Sequence, residues 1–210
     1  VSRFETSFGA VDHKSCLVVR VRAEGLDGWG ECVADEDPFY SPETNETVRH
    51  VLRAFIVPTL LGASIESPEH VQSMLGFVRG HAMAKACVEM ALWDWFSRAA
   101  GQPLHRYLGG TRDRIEAGVS IGIQPSTEAL LTAVERYLAD GYRRIKIKIK
   151  PGHDEAPLRA VRERFPSIPL MADANSAYRL DDADLLARLD DLDLMMIEQP
   201  LAHDDIIDHA

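Results

Sequence analysis

Three short polar islands, each closing an apolar run, recur at one interval: Lys146-Ile-Lys148, Asp173-Ala-Asn175 and Glu198-Gln-Pro200. Lys148 and Asp173 are 25 residues apart, as are Asp173 and Glu198. That interval holds one strand, one helix and two short connections. Apolar periodicity between the islands agrees. Strands are expected at Ala117 to Ile123, Arg144 to Ile149, Leu170 to Ala172 and Leu194 to Ile197. The helices between them open at Ser126 or Thr127 (Leu130, Leu131, Val134 and Leu138 on one face, Gly141 as terminator), after Asp154 (Leu158, Val161, Phe165) and at Asp181 (Leu185, Leu186, Leu189). Strand and helix in alternation imply an α/β fold with a parallel sheet and right-handed crossovers. No GxGxxG or Walker-type loop follows any strand, which weakens the nucleotide-binding, doubly wound version. Functional groups at the ends of three consecutive strands favour a barrel, whose sites lie at that face. Helices are then expected on one side of the sheet only.

Before residue 110 the rhythm differs. Cys16 to Val21 and Gly28 to Cys32 read as the strands of a hairpin turning at Gly25 to Gly28. A polar loop runs from Ala34 to Thr44. A helix follows through Val48, Leu52 and Phe55, with Pro58 expected to stop it. Pro68 opens another helix, and Ala84 to Ala100 is the clearest helix of the region, with Gly101 as terminator. The chain therefore divides into an α+β domain over 1–110 and a β/α domain over 111–210.

Composition narrows the function classes. A net charge of −10 provides no broad basic face for a nucleic acid. Its one basic cluster, Arg143-Arg144-Ile-Lys146-Ile-Lys148-Ile-Lys150, alternates with isoleucine, so the lysines share one strand face. No apolar stretch approaches the roughly eighteen residues of a membrane span, and no signal peptide is expected. Cys16, Cys32 and Cys87 are too few and too scattered for a disulfide framework, and are expected as buried free thiols in a reducing cytoplasm.

Taken singly, each island has a plain structural reading. Asp173 before Ala-Asn suits a helix cap or Asx turn, Glu198 a solvated strand end, and alternating lysines an edge strand. Together they suggest chemistry. Two carboxylates suit Mg²⁺, Mn²⁺ or another divalent ion that prefers oxygen ligands. Such an ion can hold a substrate carboxylate and stabilise the enediolate formed when the α-proton leaves. A lysine is a poor base at its usual pKa of about 10.4; a second lysine on the same face and a nearby cation would bring it towards neutrality. Lys148 is expected to point between Asp173 and Glu198, with Lys146 one step deeper.

On these residues the chain resembles the enolase superfamily, in its Lys-x-Lys branch. It is similar there to o-succinylbenzoate synthases of menaquinone biosynthesis and to N-acylamino acid (N-succinylamino acid) racemases. The matching segments are Phe4 to Gly9, Gly28 to Cys32, Ala91 to Asp94, Gly101 to Leu104, Leu108 to Gly110, Arg144 to Ile149 with Pro151-Gly152, Asp173 to Asn175 and Ile197 to Pro200. The resemblance implies a capping domain and a modified (β/α)7β TIM barrel. It implies that Lys148 is the acid/base, that Lys146 tunes its charge, that Asp173 and Glu198 are Mg²⁺ ligands, and that Ser120 and Asn175 lie beside a small carboxylate substrate. Phe4 to Gly9, with Phe8, and Asp35 to Pro42, with Tyr40, match loops that close over the substrate's variable end. A muconate-type cycloisomerase or dipeptide epimerase is the alternative activity, a non-catalytic scaffold the remaining one. A homo-oligomer is expected.

The family places a third carboxylate ligand one strand–helix unit beyond Glu198 and a second catalytic lysine further on. The sequence opens on Val1 and holds about four of the eight strands of such a barrel. The first strand of the cap is also not apparent. The chain is therefore expected to be part of a longer enzyme and inactive by itself.

Overall fold

The computed structural model describes residues 4–209. They form two compact units, one of residues 14–113 and the other of residues 4–13 together with 114–209. β1 (Phe4–Thr6) and β2 (Gly9–Val11) pair as a short antiparallel hairpin. The sequence groups these residues with the α+β domain, but their contacts are with the second unit: the Ile123 N–H donates to Glu5 O at 2.9 Å.

In the first unit, β3 (Leu17–Ala23) and β4 (Leu26–Cys32) form the expected hairpin. Its turn residues Glu24 and Gly25 have φ of 49° and 79°. Two positive values match the turn type whose twist suits that of paired strands. Next comes α1 (Asn45–Val51), capped reciprocally by Thr44 and Thr47. Pro58 does not stop this helix. A π turn over Leu52–Ile56 leads into α2 (Val57–Leu60), and the Val57 N–H reaches back to Leu52 O. The wider turn keeps the preceding carbonyls clear of a ring that has no N–H to offer. It also changes which residue faces inward: Ile56 is buried and Phe55 is exposed.

α3 (His70–Met74), α4 (Ala82–Ala99) and α5 (Leu104–Tyr107) complete this unit. Its core gathers Cys32, Val48, Ile56, Val71, Cys87 and Val88, among others. Glycine lets β4 lie directly on α4, since a Cβ at Gly30 would sit 1.9 Å from the Cys87 carbonyl oxygen. Of the three free cysteines, Cys32 and Cys87 are buried as expected, while Cys16 is exposed.

The second unit continues with β5 (Gly118–Ile121), α6 (Thr127–Ala139), β6 (Arg144–Lys148), α7 (Glu155–Arg164), β7 (Leu170–Asp173), α8 (Ala183–Ala187) and β8 (Met196–Glu198). Ser126 caps α6 by accepting the Ala129 N–H, and Asp154 caps α7 by accepting that of Glu155. The helix expected from Asp181 is broken. Turns of 3-10 type at Leu180–Asp182 and Arg188–Leu192 flank α8, and it is Asp182 whose carboxylate accepts a backbone N–H, from Arg179. The four strands are neighbours in the order β5-β6-β7-β8, all parallel. Ile121, Ile145, Ile147, Ile149, Leu170 and Ala172 share one core with Leu130 and Val134 of α6, Leu158 and Val161 of α7, and Leu189 and Leu192. The helices thus cover the isoleucine face, leaving the alternate residues on the other face for the site. Among the described residues no helix is long and apolar enough to cross a membrane.

Candidate active site

Register brings the polar islands to one level. Lys148 lies opposite Asp173, and Asp173 opposite Glu198, at the carboxyl ends of β6, β7 and β8. Lys146 lies one step deeper, opposite Ser120 of β5. All five residues occupy the face opposite the isoleucines, as the two-residue period of a strand requires.

Asp173 is the hub. Its side chain is 1% exposed, and its Oδ2 accepts from Lys148 Nζ at 2.6 Å and lies 3.0 Å from Lys146 Nζ. Its Oδ1 accepts the N–H of Asn175 at 3.0 Å. Burial alone would raise this carboxyl, but the hydrogen bonds from Lys148 and Lys146 outweigh it and hold Asp173 below the usual carboxylate range. Lys146 Nζ also donates to Glu198 Oε2 at 2.7 Å. Burial works against the charge of Lys146, yet its bonds to Glu198 and Asp173 prevail and hold the ammonium above the ordinary lysine range. Lys148 is buried and donates in addition to Asn175 Oδ1 at 2.7 Å.

The amine lying between Asp173 and Glu198 is therefore that of Lys146, whereas Lys148 lies between Asp173 and Asn175. The sequence puts Lys148 in the first position. Lys148 is level with Asp173 and takes the nearest acceptors, while the long stem of Lys146 reaches forward from the step below to bridge both carboxylates.

Ser120 Oγ is buried with no hydrogen-bond partner in the structure, uncommon enough for a buried hydroxyl to suggest a ligand contact. Phe8 is exposed at the turn of the β1–β2 hairpin, and Tyr40 is exposed in the loop before α1, in the other unit. Sequence reasoning missed three contacts. Lys150 Nζ binds Glu5 Oε1 at 3.1 Å, Ser7 Oγ donates to Asn175 O at 3.3 Å, and Glu5 O accepts the Ile123 N–H. Only the lysine alternation hinted at the first of these, by placing Lys150 on the site's face.

The residues fit a hard divalent cation. One oxygen each of Asp173 and Glu198 converges on a single ammonium nitrogen, so the pair already holds one positive charge between two strands. Among the described residues no third acidic, histidine or cysteine side chain joins them.

Comparison with known proteins gives the family. Residues 1–109 match the mandelate racemase / muconate lactonizing enzyme N-terminal domain, and residues 129–210 match the enolase C-terminal domain-like family. The chain belongs to the enolase superfamily. Within the superfamily it is 51% identical over 208 residues to an o-succinylbenzoate synthase of Geobacillus kaustophilus, covering 99% of this chain and 56% of that protein. An N-succinylamino acid racemase of Thermus thermophilus is also 51% identical, with the same coverage. A solved enolase-superfamily structure from Listeria innocua superposes with a TM-score of 0.93 at 40% identity, over 100% of this chain and 57% of the other. The chain thus spans about 56% of the length of the curated relatives it matches.

Proposed function

We infer that the protein removes the proton α to a substrate carboxylate through an enediolate, with a divalent cation, as an o-succinylbenzoate synthase, an N-succinylamino acid racemase, or both. One observation carries this reading: two amines and two carboxylates meet on one sheet face at the level ends of three adjacent parallel strands. The names of the most similar relatives support it.

Asp173 and Glu198 would hold Mg²⁺, with Mn²⁺ equally suited to their oxygens. When bound, the cation supplies Lewis-acid stabilisation of negative charge on the substrate's carboxylate. Lys148 takes the α-proton. Its Nζ is fixed by Asn175 Oδ1, an acceptor that serves a neutral amine as well as an ammonium. Lys146, held in its charged form by Glu198 and Asp173, would stabilise the negative charge that builds on the substrate. Ser120 Oγ can pair with a polar substrate atom. We further infer a small carboxylate as the partner, a homo-oligomeric assembly and a cytoplasmic location, on the family resemblance and the free thiols.

The test is solvent exchange of the α-proton, followed by NMR in D₂O with N-succinylamino acids, beside turnover of the cyclohexadiene precursor of o-succinylbenzoate. The native protein should catalyse at least one of these reactions. Lys148→Ala should lose exchange for at least one enantiomer while retaining substrate binding. Lys148→Arg should fail as well, because a guanidinium keeps its proton. Wild-type exchange rates in Lys148→Ala, for both enantiomers, would remove the base from the mechanism.

A further inference from the structure

Six described residues other than glycine have a positive φ, and three of them, Asn175, Ser176 and Gln199, lie just past the ends of β7 and β8. Hydrogen bonds between the two strand exits show what Gln199 does. In an extended strand the N–H and C=O of one residue point to the same edge, and those of the next residue to the other edge. Glu198 O accepts the Ala174 N–H at 3.0 Å, so Glu198 faces β7 and an extended Gln199 would face away. Instead three successive carbonyls face the β7 exit, because Gln199 O accepts from the Ser176 N–H at 2.7 Å and Pro200 O from that of Tyr178 at 3.0 Å. The peptide joining Gln199 to Pro200 is turned over, and the φ of 46° at Gln199 is where it turns. Proline suits the turned peptide, since it has no N–H to leave pointing away from β7.

This turn is strained. A side chain disfavours positive φ, and the residue before a proline is pushed further towards extended backbone. Such strain persists only where its surroundings impose it, and it gathers at functional sites. Here it follows Glu198 directly. The two carboxylates of the site are held unequally. Asp173 is fixed by Lys148, by Lys146 and by the Asn175 N–H. Among the described residues the Glu198 side chain has Lys146 as its one hydrogen-bond partner. A cation taking the place of that ammonium would leave Glu198 to be aimed by its backbone alone.

We propose that Gln199 is a positioning residue for Glu198: its left-handed backbone turns the following peptide onto the β7 exit and so locks the Glu198 carboxylate level with that of Asp173. The positioning rests on the cation-binding reading above. The turn does not, and the two are read separately.

Valine takes a left-handed backbone only at a large penalty, whereas glycine takes it freely. In the native protein, Gln199→Val should speed hydrogen exchange of the Ser176 amide by at least about tenfold. It should also raise the dissociation constant for Mn²⁺, read from the EPR signal of the free ion, by about 10- to 100-fold. Gln199→Gly should keep both within about threefold of wild type and should not lower the urea midpoint, because the turn survives without its strain. Wild-type Ser176 exchange in Gln199→Val would overturn the turn. Faster exchange with wild-type Mn²⁺ affinity would overturn the positioning. Loss of Mn²⁺ affinity in Gln199→Gly would assign the effect to the side chain and overturn the proposal, even if the valine variant failed to fold. A wild-type protein that binds no Mn²⁺ would overturn the cation reading and the positioning with it, while Ser176 exchange still judges the turn.

Discussion

Asp173→Asn isolates the electrostatics of the site. Asparagine keeps the size of the side chain but removes the charge that serves two ammonium groups, at 2.6 Å and 3.0 Å. Each charge-assisted hydrogen bond contributes about 1.5–3 kcal/mol. Neither lysine is stranded, however, since Lys146 keeps Glu198 and Lys148 keeps Asn175 Oδ1. The heavier loss falls on Lys148, which is buried and left with one neutral acceptor. A net destabilisation of the parallel-sheet unit of about 2–4 kcal/mol follows, near the lower end of what breaking a buried pair costs.

Its pH dependence is the sharper test. The Asp173 carboxyl is held below its ordinary 3.8 in the folded chain, so its contribution is complete above the unfolded value. It is lost as pH falls through the lower folded one. The Lys146 ammonium is held above its ordinary 10.5, so its contribution is complete below that value and is lost only as pH rises through the higher folded one. The difference between wild type and Asp173→Asn should therefore form a plateau from about pH 5 to about pH 10 and shrink below it, by at most about 1.4 kcal/mol per pH unit. Urea titrations with chelator present, read by pulse-labelling mass spectrometry on peptides of residues 114–209, report this unit by itself. Equal stability at pH 7, or a difference that persists undiminished to pH 3, would refute the account.

Other expectations follow from single contacts. Ser120→Ala removes a buried hydroxyl that has no partner; urea unfolding of the substrate-free protein should show no loss, or a gain of about 1 kcal/mol, while KM rises. With a thiol reagent at pH 8, Cys16 should react at once and Cys87 only on unfolding. Cys87 is buried, and burial and then Cys32 push its thiol up to about 12. Gly30→Ala must part β4 from α4, since its Cβ would lie 1.9 Å from Cys87 O and 2.8 Å from Ala91 N; thermal unfolding should show a loss of at least about 3 kcal/mol in the 14–113 unit.

The site's outline was legible because it depends on local periods. One strand–helix unit per 25 residues places Lys148, Asp173 and Glu198 at equal register, and a two-residue alternation places Lys146 with them. Long-range placement was not legible. Glu5 and Lys150 are 145 residues apart and Ser7 and Asn175 are 168 apart, and no local pattern marks such partners. The exchange of places between the two amines also escaped, because stem reach and competing acceptors decide it rather than strand period. Pro58 misled for a related reason: the rule that proline ends a helix assumes an α-helical turn before it, and the Leu52–Ile56 segment is a π turn.

The two lysines, identical in type and two residues apart, are made different by their acceptors. Lys146 is held by carboxylates on two neighbouring strands, so loss of its proton would forfeit two ion pairs. Lys148 is held by one carboxylate and one amide oxygen. The amide oxygen is a neutral acceptor, so Lys148 has one ion pair where Lys146 has two. Asn175 links two residues of the site. Its N–H fixes Asp173 and its Oδ1 aims Lys148. It holds a φ of 45°, in the left-handed region that asparagine tolerates better than most residues. The same short side chain that permits this turn reaches the Lys148 amine, so the geometry of the β7 end and the position of that amine are set by one residue.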